Sequence, residues 1–207
     1  YELLVTCRGE ADPLTGYFIN IKRIDEAVRE HVLPDLEGWV AAPGGAADVP
    51  MGELMRRVYA RLYAPLEGKV VRLRLVLSPT YSLTLGSDRM DRVTLRQSYE
   101  FSAAHRLHVP SLSDAENRQL FGKCNNPAGH GHNYRVELAV SCPLDPRGRM
   151  LTPEELDELA HRRVVEKLDH KHLNLDVPEF RELNPSVENI AKVVWASVRY
   201  ACGILGG

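Results

Sequence analysis

A segment near the start of the chain recurs far downstream, and this internal repeat limits the folds open to it. Tyr1–Cys7 reads YELLVTC and Val136–Cys142 reads VELAVSC. Both are strand-like, and both are followed by Asp-Pro, a Gly and a helical segment. Asp12-Pro13 and Gly16 answer Asp145-Pro146 and Gly148, and IKRIDEA from Ile21 lines up with PEELDEL from Pro153. Repetition over such a length points to one structural unit used twice.

Apolar spacing separates helix from strand. Leu156, Leu159, Ala160, Val164 and Leu168 recur at helical spacing, after a helix start made by Thr152-Pro153 with Glu155. Val187, Ile190, Ala191, Val194, Trp195 and Val198 define a second helix with a wide apolar face. The first copy has weaker counterparts over 21–32 and 51–62, separated by the helix-breaking string APGGAADVP. Val71, Leu73, Leu75 and Leu77 alternate with Arg72 and Arg74, and Tyr81, Leu83 and Leu85 alternate likewise, as strands do. After a polar linker at Gly86–Arg92, Val93, Leu95, Tyr99, Phe101 and Ala103 share a strand face with His105. The expectation is an α+β chain in two units. The first, over 1–86, reads strand, helix, helix, strand, strand; the second, over 93–207, reads strand, strand, helix, helix. The first lacks an opening strand and the second a closing pair, which either segments outside this sequence or strand exchange would supply.

Charge and composition narrow the partner. With 26 basic and 28 acidic residues, a net charge of −2 and no long run of one sign, the chain has no nucleic-acid footprint. No stretch approaches the roughly 20 apolar residues that span a bilayer, and YELLVTCRGE lacks a signal-peptide layout. A cytoplasmic protein with a small-molecule partner is expected. Cys7, Cys124, Cys142 and Cys202 show no CxxC spacing and are read as free thiols.

His130 and His132 lie two apart in GHGHNYRVELAV, so on a strand both imidazoles leave one face. His105 ends the preceding strand and supplies a third nitrogen if the two strands are neighbours. Three neutral imidazoles with a fourth position open are the usual arrangement of catalytic zinc. The alternative for the HxH pair alone is a solvated turn. His108, beside Pro110, reads as a surface residue.

Four strings in order, FSAAHRL, FGKCNNPAGHGHNY, KLDHKHLNLD and PSVENIAKVVW, resemble the 6-pyruvoyl-tetrahydropterin synthase family, which includes the 6-carboxy-tetrahydropterin synthases of queuosine biosynthesis. The resemblance implies the tunnelling fold, an antiparallel sheet with two helices packed on one face, here duplicated in tandem. Its units associate into barrels, which implies a homo-oligomer. It also implies Zn2+ held by His105, His130 and His132, with Cys124 as catalytic base. Asp169 and His170 would assist proton transfer, commonly across a subunit boundary, and Ser186 stands where a pterin-contacting Thr is often found. The implied reaction is the conversion of 7,8-dihydroneopterin triphosphate to 6-pyruvoyl-tetrahydropterin with elimination of triphosphate, a step of tetrahydrobiopterin biosynthesis.

The chemistry of the residues agrees with this. Zinc polarises a hydroxyl or carbonyl and acidifies the carbon-bound proton beside it. A thiol serves as base when a nearby cation favours its thiolate.

The sequence also departs from the family. The glutamate that anchors the pterin ring in relatives can be assigned to no residue here, with Ser78-Pro79 near its place in the first unit; either it lies in a segment outside this sequence or it is absent and the substrate preference differs. Glu37-Gly38 falls where the second unit has Asp169-His170, so the first unit reads as degenerate and architectural. Glu188 is expected to cap or pack its helix. The five residues between Cys124 and His130 resemble the pyruvoyl-type spacing. The competing expectations are 6-carboxy-tetrahydropterin synthase on the same substrate, a non-catalytic pterin-binding homologue, and a metal-dependent hydrolase.

Overall fold

The structure, a computed structural model, describes residues 2–41 and 49–205, with side chains described except at 39, 40 and 200–205. The expected breaker loop Ala42–Pro50 falls mostly outside these residues, as does the side chain of Cys202. Two compact units divide the chain: Tyr1–Arg96 with Ala139–Leu151, and Gln97–Leu138 with Thr152–Gly207.

The first unit holds β1 (Glu2–Cys7), α1 (Ile21–His31), α2 (Leu33–Ala41), α3 (Met51–Tyr63), β2 (Val70–Ser78) and β3 (Tyr81–Gly86). It also takes the opening residues of β4 (Arg92–His105) and the closing residues of β5 (His130–Pro143). The strands lie in the order β1-β2-β3-β4-β5. In the antiparallel register Leu73 faces Val5 and Leu85, and Leu75 faces Leu3 and Leu83. Alternation therefore gathers Leu73, Leu75, Leu83, Leu85, Val93 and Leu95 into a buried face, as their spacing predicts. Helix α3 contributes the buried Leu54, Met55, Val58 and Leu62, one stripe at helical spacing. Between α1 and α3 the sequence reading has no second helix, yet Leu33–Ala41 forms one, with Pro34 in its first turn, where a missing N–H is harmless.

Two Asp-Pro segments of this unit fold alike. The Asp12 carboxylate accepts from the amides of Leu14 and Thr15, and the Gly16 amide returns to the Asp12 carbonyl. The Asp145 carboxylate accepts from the amides of Arg147 and Arg149, and the Gly148 amide returns to the Asp145 carbonyl. Both glycines are left-handed, at φ 71° and 77°.

The second unit holds the rest of β4, α4 (Asp114–Phe121), the start of β5, α5 (Pro153–Ala160), α6 (Glu166–Leu168), β6 (Lys171–His172), α7 (Leu173–Asp176) and α8 (Val187–Leu205). β6 pairs with β4 in parallel, Ala103 facing Lys171 and Ala104 facing His172. On β4 the face read from the sequence is the buried one: Tyr99, Phe101, Ala103 and His105 are each at most 7% exposed. Thr152 and Glu155 cap α5 reciprocally. The single helix expected over 153–168 carries a π-helical turn at His161–Val165, which keeps Val164 and Leu168 buried beside Leu156 and Leu159. In α8 the buried stripe is Ile190, Val193, Val194 and Val198, whereas Val187 and Trp195 are exposed, contrary to the sequence reading. Val187 opens the helix, and the Trp195 ring is covered by the Arg199 guanidinium 4.5 Å from its centre. No described helix is long and apolar enough to cross a membrane.

Gly148 tests how closely the Asp145 turn is packed. A Cβ there would lie 2.6 Å from the Cβ and backbone nitrogen of Glu53, while one on Gly16 would meet nothing within 4 Å. Gly16→Ala should cost about 1 kcal/mol through its left-handed backbone, and Gly148→Ala roughly 2–3 kcal/mol. Urea unfolding midpoints give the comparison, and equal losses would contradict the close approach.

Candidate functional site

The site lies in the second unit, where β4 ends and β5 begins. His130, His132 and Tyr134 alternate along β5, so their side chains leave one face. The rings of His105, His130 and His132 meet there, with centroids 4.8 Å, 5.0 Å and 4.3 Å apart. His105 is 4% exposed, and its Nδ1 lies 2.7 Å from the Pro185 carbonyl oxygen. A carbonyl only accepts, so Nδ1 carries the hydrogen and Nε2 presents a lone pair. That Nε2 is buried without a partner, as is Nε2 of His130. Buried nitrogens left unpaired are costly unless an electron-pair acceptor meets them, so a metal ion fits this pair.

Burial holds the imidazoles of His105 and His130 below their ordinary range, with smaller contributions from the neighbouring histidines. Neutral rings are the ligating form. Ligand atoms of His105, Cys124 and His130 all lie within 4.8 Å of one another, so the thiol stands in reach of the same point. His132 adjoins that group from the exposed side of the cluster.

Cys124 is placed by asparagines. It sits in the short 3-10 turn Gly122–Asn125, and its carbonyl accepts from the Leu107 amide at 2.7 Å. Asn125 donates to the Leu107 carbonyl, and Asn174 bonds both the amide and the carbonyl of Arg106. Asn117 is fully buried and ties together Val109, Leu112 and Ser113. His108, expected at the surface, is half-buried and bonded to Asn125 through Nδ1. Gly129, at φ 72°, admits His172: a Cβ there would stand 2.6 Å from the His172 Nε2.

Asp169 and His170 form a bonded pair. One carboxylate oxygen of Asp169 accepts from the Ser102 amide and the other lies 2.7 Å from His170 Nδ1. The Ser102 amide, then the His170 ring, hold the Asp169 carboxyl below the usual carboxylate range. His170 has φ 54°, a left-handed backbone fixed by its amide bond to the Ser102 carbonyl. His170 and His132 line one hollow of about 540 Å³, together with Asn133 and His172. No carboxylate is among the residues lining it.

Ser186 stands at the start of α8, next to Pro185. Its hydroxyl accepts from the Asn189 amide and bonds the Glu188 carboxylate, so it caps the helix. Tyr134 escaped the sequence reading. Its ring stacks on Phe101 with centroids 5.0 Å apart, and its buried hydroxyl has no partner. Burial and then the nearby Cys124 raise its phenol above the ordinary range. The signal was its two-residue step from His132.

The family model for 6-pyruvoyl tetrahydropterin synthase matches residues 94–203, more than half of the 207-residue chain. The chain belongs to that family. The 6-pyruvoyl tetrahydrobiopterin synthase of Drosophila melanogaster is 50% identical over 100 residues, 48% of this chain and 60% of that protein. The human protein of the same name is 40% identical over 117 residues, 56% of this chain and 81% of that protein. The solved Caenorhabditis elegans 6-pyruvoyl tetrahydropterin synthase is similar with a TM-score of 0.51 and 36% identity, over 55% of this chain and 84% of that one. The mixed helix and antiparallel-sheet fold agrees with this family of enzymes.

The depressed imidazoles set a pH window. Between the unfolded histidine value, near 6.5, and the lower folded values, the unfolded chain binds more protons. Stability of the metal-free chain should therefore fall as pH drops through that window, and added zinc should raise the melting temperature strongly at pH 7.5 and little at pH 5. A zinc shift of the same size at both values would contradict ligation by these rings.

Proposed function

We propose that the chain is a zinc-dependent lyase that converts 7,8-dihydroneopterin triphosphate to 6-pyruvoyl-tetrahydropterin with loss of triphosphate. The observation that carries this reading is the pair of buried, unpartnered Nε2 atoms of His105 and His130, with the Cys124 thiol in reach of both. His105, His130 and His132 would hold the zinc. Bound there, zinc would polarise a substrate hydroxyl and acidify the carbon-bound proton beside it.

The protein's own groups then have distinct tasks. Cys124 accepts the carbon-bound proton as thiolate, its turn held by Leu107 and Asn125. Asp169 keeps a hydrogen on His170 Nδ1, which leaves Nε2 of that exposed ring to carry a proton to or from the substrate side chain. Support for a shared site comes from the hollow that His170 and His132 both line within one unit. Ser186 would contact the pterin through the hydroxyl that also caps α8. The names of the relatives favour the pyruvoyl product over the carboxy one.

The reading extends to organisation. Residues 93–207 would form a tunnelling-fold unit bearing the site, and residues 1–86 a degenerate tandem copy that supplies strands to a barrel in a homo-oligomer. The matching Asp12 and Asp145 turns support the duplication. Free thiols at Cys7, Cys124 and Cys142 suit a cytoplasmic setting.

Cys124→Ala should lower triphosphate release by about 10²–10⁴-fold, the usual loss for a general base, while one zinc per chain is retained. Asp169→Asn should lower it by a smaller factor. Mass spectrometry of the product identifies 6-pyruvoyl-tetrahydropterin. Release by Cys124→Ala at the parent rate would remove the thiol as base, and zinc-loaded parent without turnover would make the chain a pterin-binding homologue.

A further inference from the structure

The proposed reaction gives no task to Tyr134, a residue of the histidine cluster. Alternation along β5 puts its side chain on the face of His130 and His132. The ring lies nearly parallel to Phe101 on the neighbouring β4, with 13° between the planes and 5.0 Å between centroids. It stands edge-on to His132 and to His105, whose centroids are 5.7 Å and 6.4 Å away. Three neighbouring rings therefore fix its plane. A ring flip turns about the axis that carries the hydroxyl, so the same packing fixes the oxygen. That oxygen is buried and has no hydrogen-bond partner among the described residues.

A phenylalanine would stack on Phe101 in the same way without burying a hydroxyl, so the fold gains nothing from the oxygen and bears the cost of its burial. The other orphaned atoms of the cluster, Nε2 of His105 and of His130, present lone pairs, and a cation satisfies those. A phenol hydrogen needs an acceptor instead. The nearby Cys124 sulfur is a weak acceptor, and the proposed reaction commits it to the carbon-bound proton. The acceptors that remain are oxygens brought in by a ligand. A pterin whose side chain reaches Cys124 carries such oxygens as its hydroxyl groups.

We propose that Tyr134 is a specificity-determining residue of this site, its hydroxyl donating to a side-chain hydroxyl oxygen of the pterin substrate. The inference rests on the pterin reading given above. An analogue without that oxygen leaves the buried donor unpaired and is penalised for it, so the group that costs the ligand-free chain stability selects for a hydroxylated side chain.

Isothermal titration of the zinc-loaded parent and of Tyr134→Phe with two pterins tests it. The first, 7,8-dihydroneopterin, keeps the side-chain hydroxyls and has no triphosphate to lose; the second, 6-methyl-7,8-dihydropterin, has no side-chain hydroxyl. The parent should bind dihydroneopterin more tightly than the methyl compound. Tyr134→Phe should weaken dihydroneopterin by roughly tenfold and leave the methyl compound within about twofold. Without ligands the variant should melt at the parent temperature or above it, because no bond within the protein is lost, whereas loss of a structural hydroxyl would lower it. Unchanged dihydroneopterin affinity in the variant, an equal loss for both pterins, or a lowered melting temperature would overturn the assignment and leave the lyase reading standing. A parent that binds neither pterin would overturn the lyase reading and the assignment with it.

Discussion

The hydrogen bond from His105 Nδ1 to the Pro185 carbonyl, 2.7 Å long, is the contact on which the site depends. It joins the end of β4 to the start of α8 and selects one tautomer. Without it the Nε2 lone pair would have no fixed direction, and ring rotation would disperse the cluster. The carbonyl is available because Ser186, the next residue, caps α8 with its hydroxyl and so fixes the helix entry. Helix start and the His105 ring are therefore positioned by one short segment, and an imidazole that carries its hydrogen on the far nitrogen is ready for a cation.

The face that bears the histidines was legible because strands alternate. Parity alone put His105 with Phe101 and Ala103, and His130 with His132, and no later packing could reverse that without exposing the core. The Thr152 cap was legible for a similar reason, being a local bond between residues three apart. What the sequence hid was long-range. The Asn125 and Asn174 bonds to Leu107 and Arg106, beside the Cys124 turn, join residues whose partners no spacing reveals. Trp195 was misplaced because helical spacing gives a wide stripe without saying which edge meets α5 and the π-helical turn, and Arg199 lies over the ring instead.

The division of the chain into compact units shows another limit of reading in order. Residues 139–151 belong with the first unit although they follow the histidines of the second. β5 therefore carries the histidines of the candidate site at one end and belongs to the first unit at the other, and the strands β4 and β5, 14 residues each, run through both units.

The central claim is that three imidazoles hold the metal and leave the Cys124 thiol free to act as base. Ligand atoms of His105, Cys124 and His130 lie within 4.8 Å of one another, while the His132 ring stands beside them with its centroid 5.0 Å from that of His105 and 4.3 Å from that of His130. X-ray absorption at the zinc edge of the loaded, substrate-free protein separates ligation through His132 from ligation through Cys124. The account predicts a first shell of light atoms alone at about 2.0–2.1 Å with imidazole scattering, and a sulfur shell at about 2.3 Å would contradict it.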